Sequence, residues 1–124
     1  MSKYHSRKIT VNGETFDSQK ECRRWQALRL LERAGQIKCL RRQVKFELIP
    51  PQYETVERYS NKTGKRLQDG ERQVERGVYY IADFVYSRPD GAMVVEDTKG
   101  VQTPEYIIKR KLMLKVHGIK IFET

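Results

Sequence analysis

The chain has 124 residues and a formal net charge of +9, from 25 Lys+Arg against 16 Asp+Glu. That length suits one domain, residues 1–124, with a modest core, and the charge suits a polyanion, nucleic acid first because aromatic and basic residues interleave. No 18-residue apolar run offers a membrane span, and the polar N-terminus lacks a signal-peptide core.

Residues 1–7 are polar and basic and are expected to be loose. In Lys8–Phe16, Asn12-Gly13 sits between β-type runs and signals a two-residue hairpin. Ser18-Gln19-Lys20-Glu21 then has capping-box spacing. A helix is expected from there to Ala34, with Gly35 as its stop. Trp25, Leu28 and Leu31 make its expected buried stripe, and Glu21 falls on the same stripe one turn earlier. Glu21 has two readings: a capping-box partner serving its own backbone, or a functional acid aimed where the apolar face packs.

Cys22 and Cys39 form no CxxC pair, and with only His5 and His117 besides they give no zinc spacing. A reduced, cytoplasmic setting is the default. Two short strands are expected at Ile37–Leu40 and Val44–Ile49, the second ended by Pro50-Pro51. Gln52–Gly77 is a charged excursion with a turn at Asn61-Lys62-Thr63-Gly64. Tyr53–Tyr59 and Arg72–Arg76 suit either an outlying β-ribbon or a mobile loop, in contact with substrate or simply solvated.

Tyr79–Tyr86 and Ala92–Thr98 read as two strands around Arg88-Pro89-Asp90-Gly91, which has turn chemistry. A three-residue loop with Gly91 in the left-handed region pairs Arg88 with Ala92. The same register sets Asp83 opposite Asp97. Opposed side chains have Cβ atoms roughly 4.5–5.5 Å apart, where like charges are destabilising. A divalent cation is the simplest reason for two carboxylates there, with Lys99 beside them, because Mg²⁺ takes one or two carboxylates plus phosphate and water. The plainer alternative is a strand-end Asp83 and an exposed turn at Asp97–Gly100 with a surface ion pair. Glu96 should point to the opposite face; a one-residue slip would exchange it for Asp97.

Thr103-Pro104 starts a second helix, expected to run to His117 with Ile108, Leu112 and Val116 buried and Gly118 as its stop. Lys109, Arg110, Lys111 and Lys115 cover the remaining surface. Lys109, Lys111 and Lys115 are candidate phosphate clamps or plain solvated charges. Ile119–Phe122 is a last strand. Neither helix is a strongly amphipathic basic helix of the kind that lies on anionic membranes. The fold class is mixed α/β (α+β): helix, antiparallel meander, helix, strand.

Glu21, then Asp83, then Asp97-Thr98-Lys99, in that element order, resembles the PD-(D/E)xK nuclease superfamily with its restriction-endonuclease-like core. Ala82 stands where that motif has proline. SQKE at 18–21, QVKFEL at 43–48, YIADFVY at 80–86 and VVEDTKG at 94–100 also look like a family of small phage and prophage proteins long labelled a domain of unknown function. More distantly they look like transposition endonuclease subunits and Holliday-junction resolvases. The resemblance implies a metal-dependent endonuclease acting on DNA in the host cytoplasm, with branched or junction DNA as the favoured substrate. It implies Mg²⁺ or Mn²⁺ held by Asp83, Asp97 and the Thr98 carbonyl, Glu21 binding through water or a second ion, and Lys99 on the attacking water. Products would carry 5′-phosphate and 3′-hydroxyl ends, and Gln43 joins the DNA-binding residues. A homodimer is expected, since resolving a junction takes two cuts, with Tyr53, Tyr59 and the Tyr79-Tyr80 strand end as interface candidates. The competing readings are a non-catalytic DNA-binding module on the same fold and a structural or host-interaction phage protein.

Overall fold

The structure, a computed structural model, describes residues 8–124; the expectation of a loose terminus at residues 1–7 lies outside them. Two compact units are present, one comprising the chain through Phe46 together with Tyr80–Thr124, the other Glu47–Tyr79. The class is mixed α+β.

In the larger unit, β1 (Ile9–Val11) and β2 (Glu14–Phe16) form the expected hairpin. Asn12 and Gly13 both have positive φ, 51° and 80°, as the turn that matches strand twist demands. Helix α1 (Gln19–Arg33) follows, with the Ser18 hydroxyl accepting from the Glu21 N–H at 3.1 Å. Its buried stripe is Glu21, Cys22 and Leu28, with Trp25 packed against the core beside Leu28. Leu31 departs from expectation and is 38% exposed. Three residues fall about 60° short of a full turn, so Leu31 has rotated off the Trp25–Leu28 line. Glu32 takes the inward position instead and accepts from the Leu40 N–H at 3.0 Å.

The two strands expected around 37–49 are one, β3 (Lys38–Ile49). No turn residue interrupts the Arg41-Arg42-Gln43 stretch, so the strand runs through and absorbs its irregularity as kinks. Cys39 and Gln43 sit at φ 55° and 52°, a conformation that costs a non-glycine residue roughly 1–2 kcal/mol. The main sheet has the order β3-β6-β7-β8, with β6 at Val78–Ser87, β7 at Met93–Asp97 and β8 at Phe122–Glu123. β6 and β7 are antiparallel and β7 and β8 parallel. Leu28, Ile37, Phe84, Tyr86 and Val94 form the core between α1 and this sheet.

Helix α2 (Pro104–Leu112) starts on the Thr103 cap, whose hydroxyl accepts from the Tyr106 N–H at 3.1 Å. It does not continue as an α-helix to His117, because Met113–His117 is a π-helical turn ending on Gly118 at φ 68°. Its buried residues are Tyr106 and Met113, not the expected Ile108 and Val116, which are 59% and 49% exposed; Leu112 is half-buried. Tyr106 and Met113 are two turns apart on one face, and Ile108 lies almost opposite Tyr106. The Tyr106 hydroxyl fixes the choice by donating to Glu123 at 2.7 Å. Strand β8 begins later than expected for a local reason. The Ile119 N–H is already bonded to the Met113 carbonyl at 3.2 Å in the helix-terminating motif, so Ile119 is held there.

The smaller unit is a ribbon of β4 (Gln52–Tyr59) and β5 (Arg66–Glu75), antiparallel, with register shifts between Gln52 and Tyr53 and between Val56 and Arg58. Of the two expectations for this stretch, the ribbon is the one found. β5 starts well before the expected Arg72. Gly70 lies opposite Val56, where an added Cβ would stand 2.6 Å from the Arg58 Cδ and push that exposed side chain aside. Tyr53 and Tyr59 are both about half exposed, at 55% and 54%.

Candidate functional site

The site is made by the β6–β7 hairpin. Arg88 N–H donates to the Ala92 carbonyl at 2.8 Å, Gly91 N–H to the Arg88 carbonyl at 2.9 Å, and Gly91 sits at φ 88°. The three-residue loop is therefore the one expected. Pairing runs Ser87–Met93, Tyr86–Val94, Val85–Val95 and Phe84–Glu96. The paired register ends there; continued by one step it would set Asp83 opposite Asp97, and the Asp83 Oδ2 is bonded to the N–H of Thr98, next to Asp97.

Asp97 is 1% exposed. Its Oδ2 accepts from the Tyr80 hydroxyl. Its Oδ1 is buried and has no hydrogen-bond partner, with the Lys99 Nζ at 3.5 Å as an ion-pair neighbour. Asp83 Oδ2 accepts from the Thr98 N–H at 2.8 Å. Burial first, and the Asp97 charge second, push the Asp83 carboxyl up to about 7; Glu21 adds to the rise, while the Thr98 N–H and Lys99 oppose it. The Thr98 Oγ1 is a second buried oxygen without a partner. Lys99 lies 4.6 Å from the Tyr106 ring centre, and the Tyr106 and Tyr80 rings are 6.3 Å apart.

Glu21, 3% exposed, faces the same field. The Ser18 half of the expected capping box is present, but the carboxylate does not return to the Ser18 N–H. Its Oε2 accepts from the Asp17 N–H at 3.3 Å and its Oε1 from the Gln43 amide at 3.2 Å. Arg42 Nη2 stands 3.7 Å away. Burial, reinforced by Asp17, raises its pKa. Gln43, expected on DNA, is thus held on Glu21 by a strained backbone.

Glu96 points to the opposite face, as alternation requires. It is wholly buried, paired with Arg24 through Nε and, at 3.1 Å, Nη2, and it accepts from the Tyr86 hydroxyl at 2.7 Å. The structure brings Asp83, Asp97, Thr98 and Lys99 together, with Glu21 in electrostatic reach. It does not bring Lys109, Lys111 or Lys115 among them: Lys109 pairs with Glu105 at 3.0 Å, and Lys111 and Lys115 are exposed. Tyr80 is 2% exposed, which corrects its assignment to an interface. Sequence reasoning missed Tyr80, Tyr106 and Arg42. The available signal was that a buried Tyr hydroxyl needs a partner.

Among the described residues no three His, Cys, Asp or Glu side chains gather as a metal-ligating group. The pair Asp83–Asp97 is what remains, and it fits a hard cation that completes its shell from phosphate and water. The buried Asp97 Oδ1, which has the Lys99 Nζ at 3.5 Å but no hydrogen bond, is the acceptor such an ion would take. No helix among the described residues is long and apolar enough to cross a membrane.

Fold and site together define a mixed α+β protein with a paired-carboxylate centre at the end of a β-hairpin. Residues 1–121 match the family described as "Protein of unknown function (DUF1064)", and the chain belongs to that family. No curated protein and no solved structure matches it.

Proposed function

We propose that this protein is a metal-dependent endonuclease of the PD-(D/E)xK type that hydrolyses DNA phosphodiesters, selecting branched or otherwise distorted DNA. One observation carries the reading: Asp97 keeps a buried carboxylate oxygen unbonded, opposite Asp83 and beside Lys99. Buried carboxylate oxygens are as a rule hydrogen-bonded, and this one has only the Lys99 Nζ at 3.5 Å.

Asp83 and Asp97 would hold Mg²⁺ or Mn²⁺, with the Thr98 carbonyl as a further ligand. Such an ion supplies Lewis-acid activation of the phosphoryl group and a nucleophilic water at neutral pH. Tyr80 holds Asp97 through Oδ2 and leaves Oδ1 for the ion. Lys99, one-third exposed at its side chain and 4.6 Å from the Tyr106 ring centre, would orient the attacking water and offset phosphate charge. Glu21 acts through water, with its orientation set by Gln43 and Arg42.

The net charge of +9 supplies the attraction to the polyanion. Two cuts at a junction call for two copies of the site, so a homodimer on DNA belongs to the proposal. The test is a panel of labelled junction, flap, duplex and single-stranded DNAs with Mg²⁺, Mn²⁺ or EDTA, with sedimentation on a four-way junction. Metal-dependent cleavage of at least one substrate is expected. No cleavage of any of them, with metal binding absent by calorimetry, overturns the reading.

A further inference from the structure

A second feature lies on the same helix as Glu21 but is not used by the chemistry above. The β1–β2 hairpin and the flank of α1 that carries Cys22, Trp25, Arg29 and Arg33 border a groove of about 420 Å³. That volume falls within the range of small-molecule sites, roughly 300–1,000 Å³. Its floor is aromatic: Phe16 is buried, and Trp25 is half-buried, stacked on Phe84 with ring centres 5.9 Å apart. Its rim is cationic. Arg29 and Arg33 are one helical turn apart, both exposed, and neither has an anionic partner among the described residues. Asn12 and Glu14 stand at the hairpin side of the same groove, supplying an amide and a carboxylate.

An aromatic floor, a mixed donor–acceptor edge and two guanidinium groups without a carboxylate partner match the parts of a nucleotide, with Arg29, now 5.5 Å from the Trp25 ring centre, having to swing off that ring for a base to take its place. Bases stack on aromatic side chains whatever their identity, and Arg engages phosphate with two parallel bonds. A base within a duplex has its faces stacked and its pairing edge occupied, whereas an unpaired one can offer both to such a groove. We infer that this groove binds one unpaired nucleotide of the DNA substrate, its base on the Trp25 side and its phosphate on Arg29 and Arg33.

Arg42 connects the groove to the acidic centre. Its guanidinium lies 5.5 Å from the Trp25 ring centre and 3.9 Å from that of Phe16, while its Nη2 is 3.7 Å from Glu21. An unpaired nucleotide in the groove would therefore lie beside Arg42 and, through it, Glu21. The identity of the partner as DNA rests on the proposed function; the existence of a nucleotide site does not.

Trp25 is the only tryptophan in the chain, so intrinsic fluorescence reports directly on the groove. The experiment titrates deoxyadenosine monophosphate, deoxyadenosine and inorganic phosphate into the full chain in EDTA, with calorimetry in parallel. It is repeated with Arg29→Ala and Arg33→Ala, each checked for native circular dichroism. Saturable quenching by the nucleotide is expected, about tenfold weaker in each Arg variant. The nucleoside and phosphate alone should bind at least about tenfold more weakly than the nucleotide. Absence of saturable binding, or equal binding by both Arg variants and the parent, overturns the inference. Since metal is absent throughout, a failure here is separate from a failure of the cleavage assay.

Discussion

Glu96 and Asp97 are neighbours on β7 and both are shut off from solvent, at 0% and 1% exposure. On the α1 side of the sheet, Glu96 is answered completely: Arg24 meets both carboxylate oxygens and Tyr86 donates as well. The Tyr86 hydroxyl is pushed up to about 12, by burial and by that bond. On the other side, Asp97 has one oxygen bonded to Tyr80 and one left without a hydrogen bond. A buried charge costs several kcal/mol unless it is paired. One face has met that cost with two bonded partners, whereas on the other the Asp97 Oδ1 has only the Lys99 Nζ at 3.5 Å. The proposed metal site rests on that difference.

The largest expected effect is on the unanswered face. Asp97→Asn or Asp83→Asn should lower metal-dependent cleavage about 10³-fold or more, since losing metal-held transition-state stabilisation forfeits several kcal/mol. DNA binding should stay close to that of the parent, measured by anisotropy in EDTA. Removing one of two opposed carboxylates should also raise metal-free stability, by about 1 kcal/mol in urea melts. Cleavage at parental rates in either variant would erase the distinction between the two faces.

On the satisfied face the expectation inverts. Arg24→Ala leaves Glu96 buried and unpaired and should cost about 3 kcal/mol of stability. Metal affinity measured well below the melting temperature should be unchanged. A loss of metal affinity with intact stability would make Glu96, not Asp97, the ligand.

The pH dependence sharpens the contrast further. Asp83 has its pKa raised from 3.8 to about 7 in the folded chain. Between those values the folded state holds a proton that the unfolded state has released. Stability from this group is therefore present at low pH and falls as pH rises toward 7, by up to roughly 1.4 kcal/mol per pH unit. Asp83→Asn should flatten that slope in metal-free thermal melts. Added Mg²⁺ or Mn²⁺ should offset the loss most strongly above pH 7, because binding displaces the proton.

The smallest expected effect lies away from both faces. Lys111→Ala with Lys115→Ala should weaken DNA binding for every sequence tested and lower the salt slope by about 2. Lys109→Ala should do less, because Lys109 is already paired with Glu105. Affinity insensitive to salt would remove the polyanion argument altogether.

Much of this molecule was legible in the chain because it is decided by neighbours in sequence. Asn12-Gly13 specifies one turn, Pro89-Asp90-Gly91 another, and Ser18 and Thr103 mark where helices begin. The register of the β6–β7 hairpin follows from its loop, and the opposition of Asp83 and Asp97 follows from the register. Those choices rest on local dihedral preferences and on hydrogen bonds between residues a few positions apart. The remaining features rest on contacts between residues far apart in the chain. α2 carries two plausible stripes, and only the Tyr106 bond to Glu123 and the Tyr80 ring beside it select Tyr106 and Met113 over Ile108 and Val116. β3 runs unbroken with left-handed kinks, and Gln43 turns to Glu21, 22 positions away. Arg24 finds Glu96 across 72 positions, and Tyr80 finds Asp97 across 17. Sequence periodicity placed the two acids on opposite faces; which of them is satisfied depended on the side chains that other elements brought to each face.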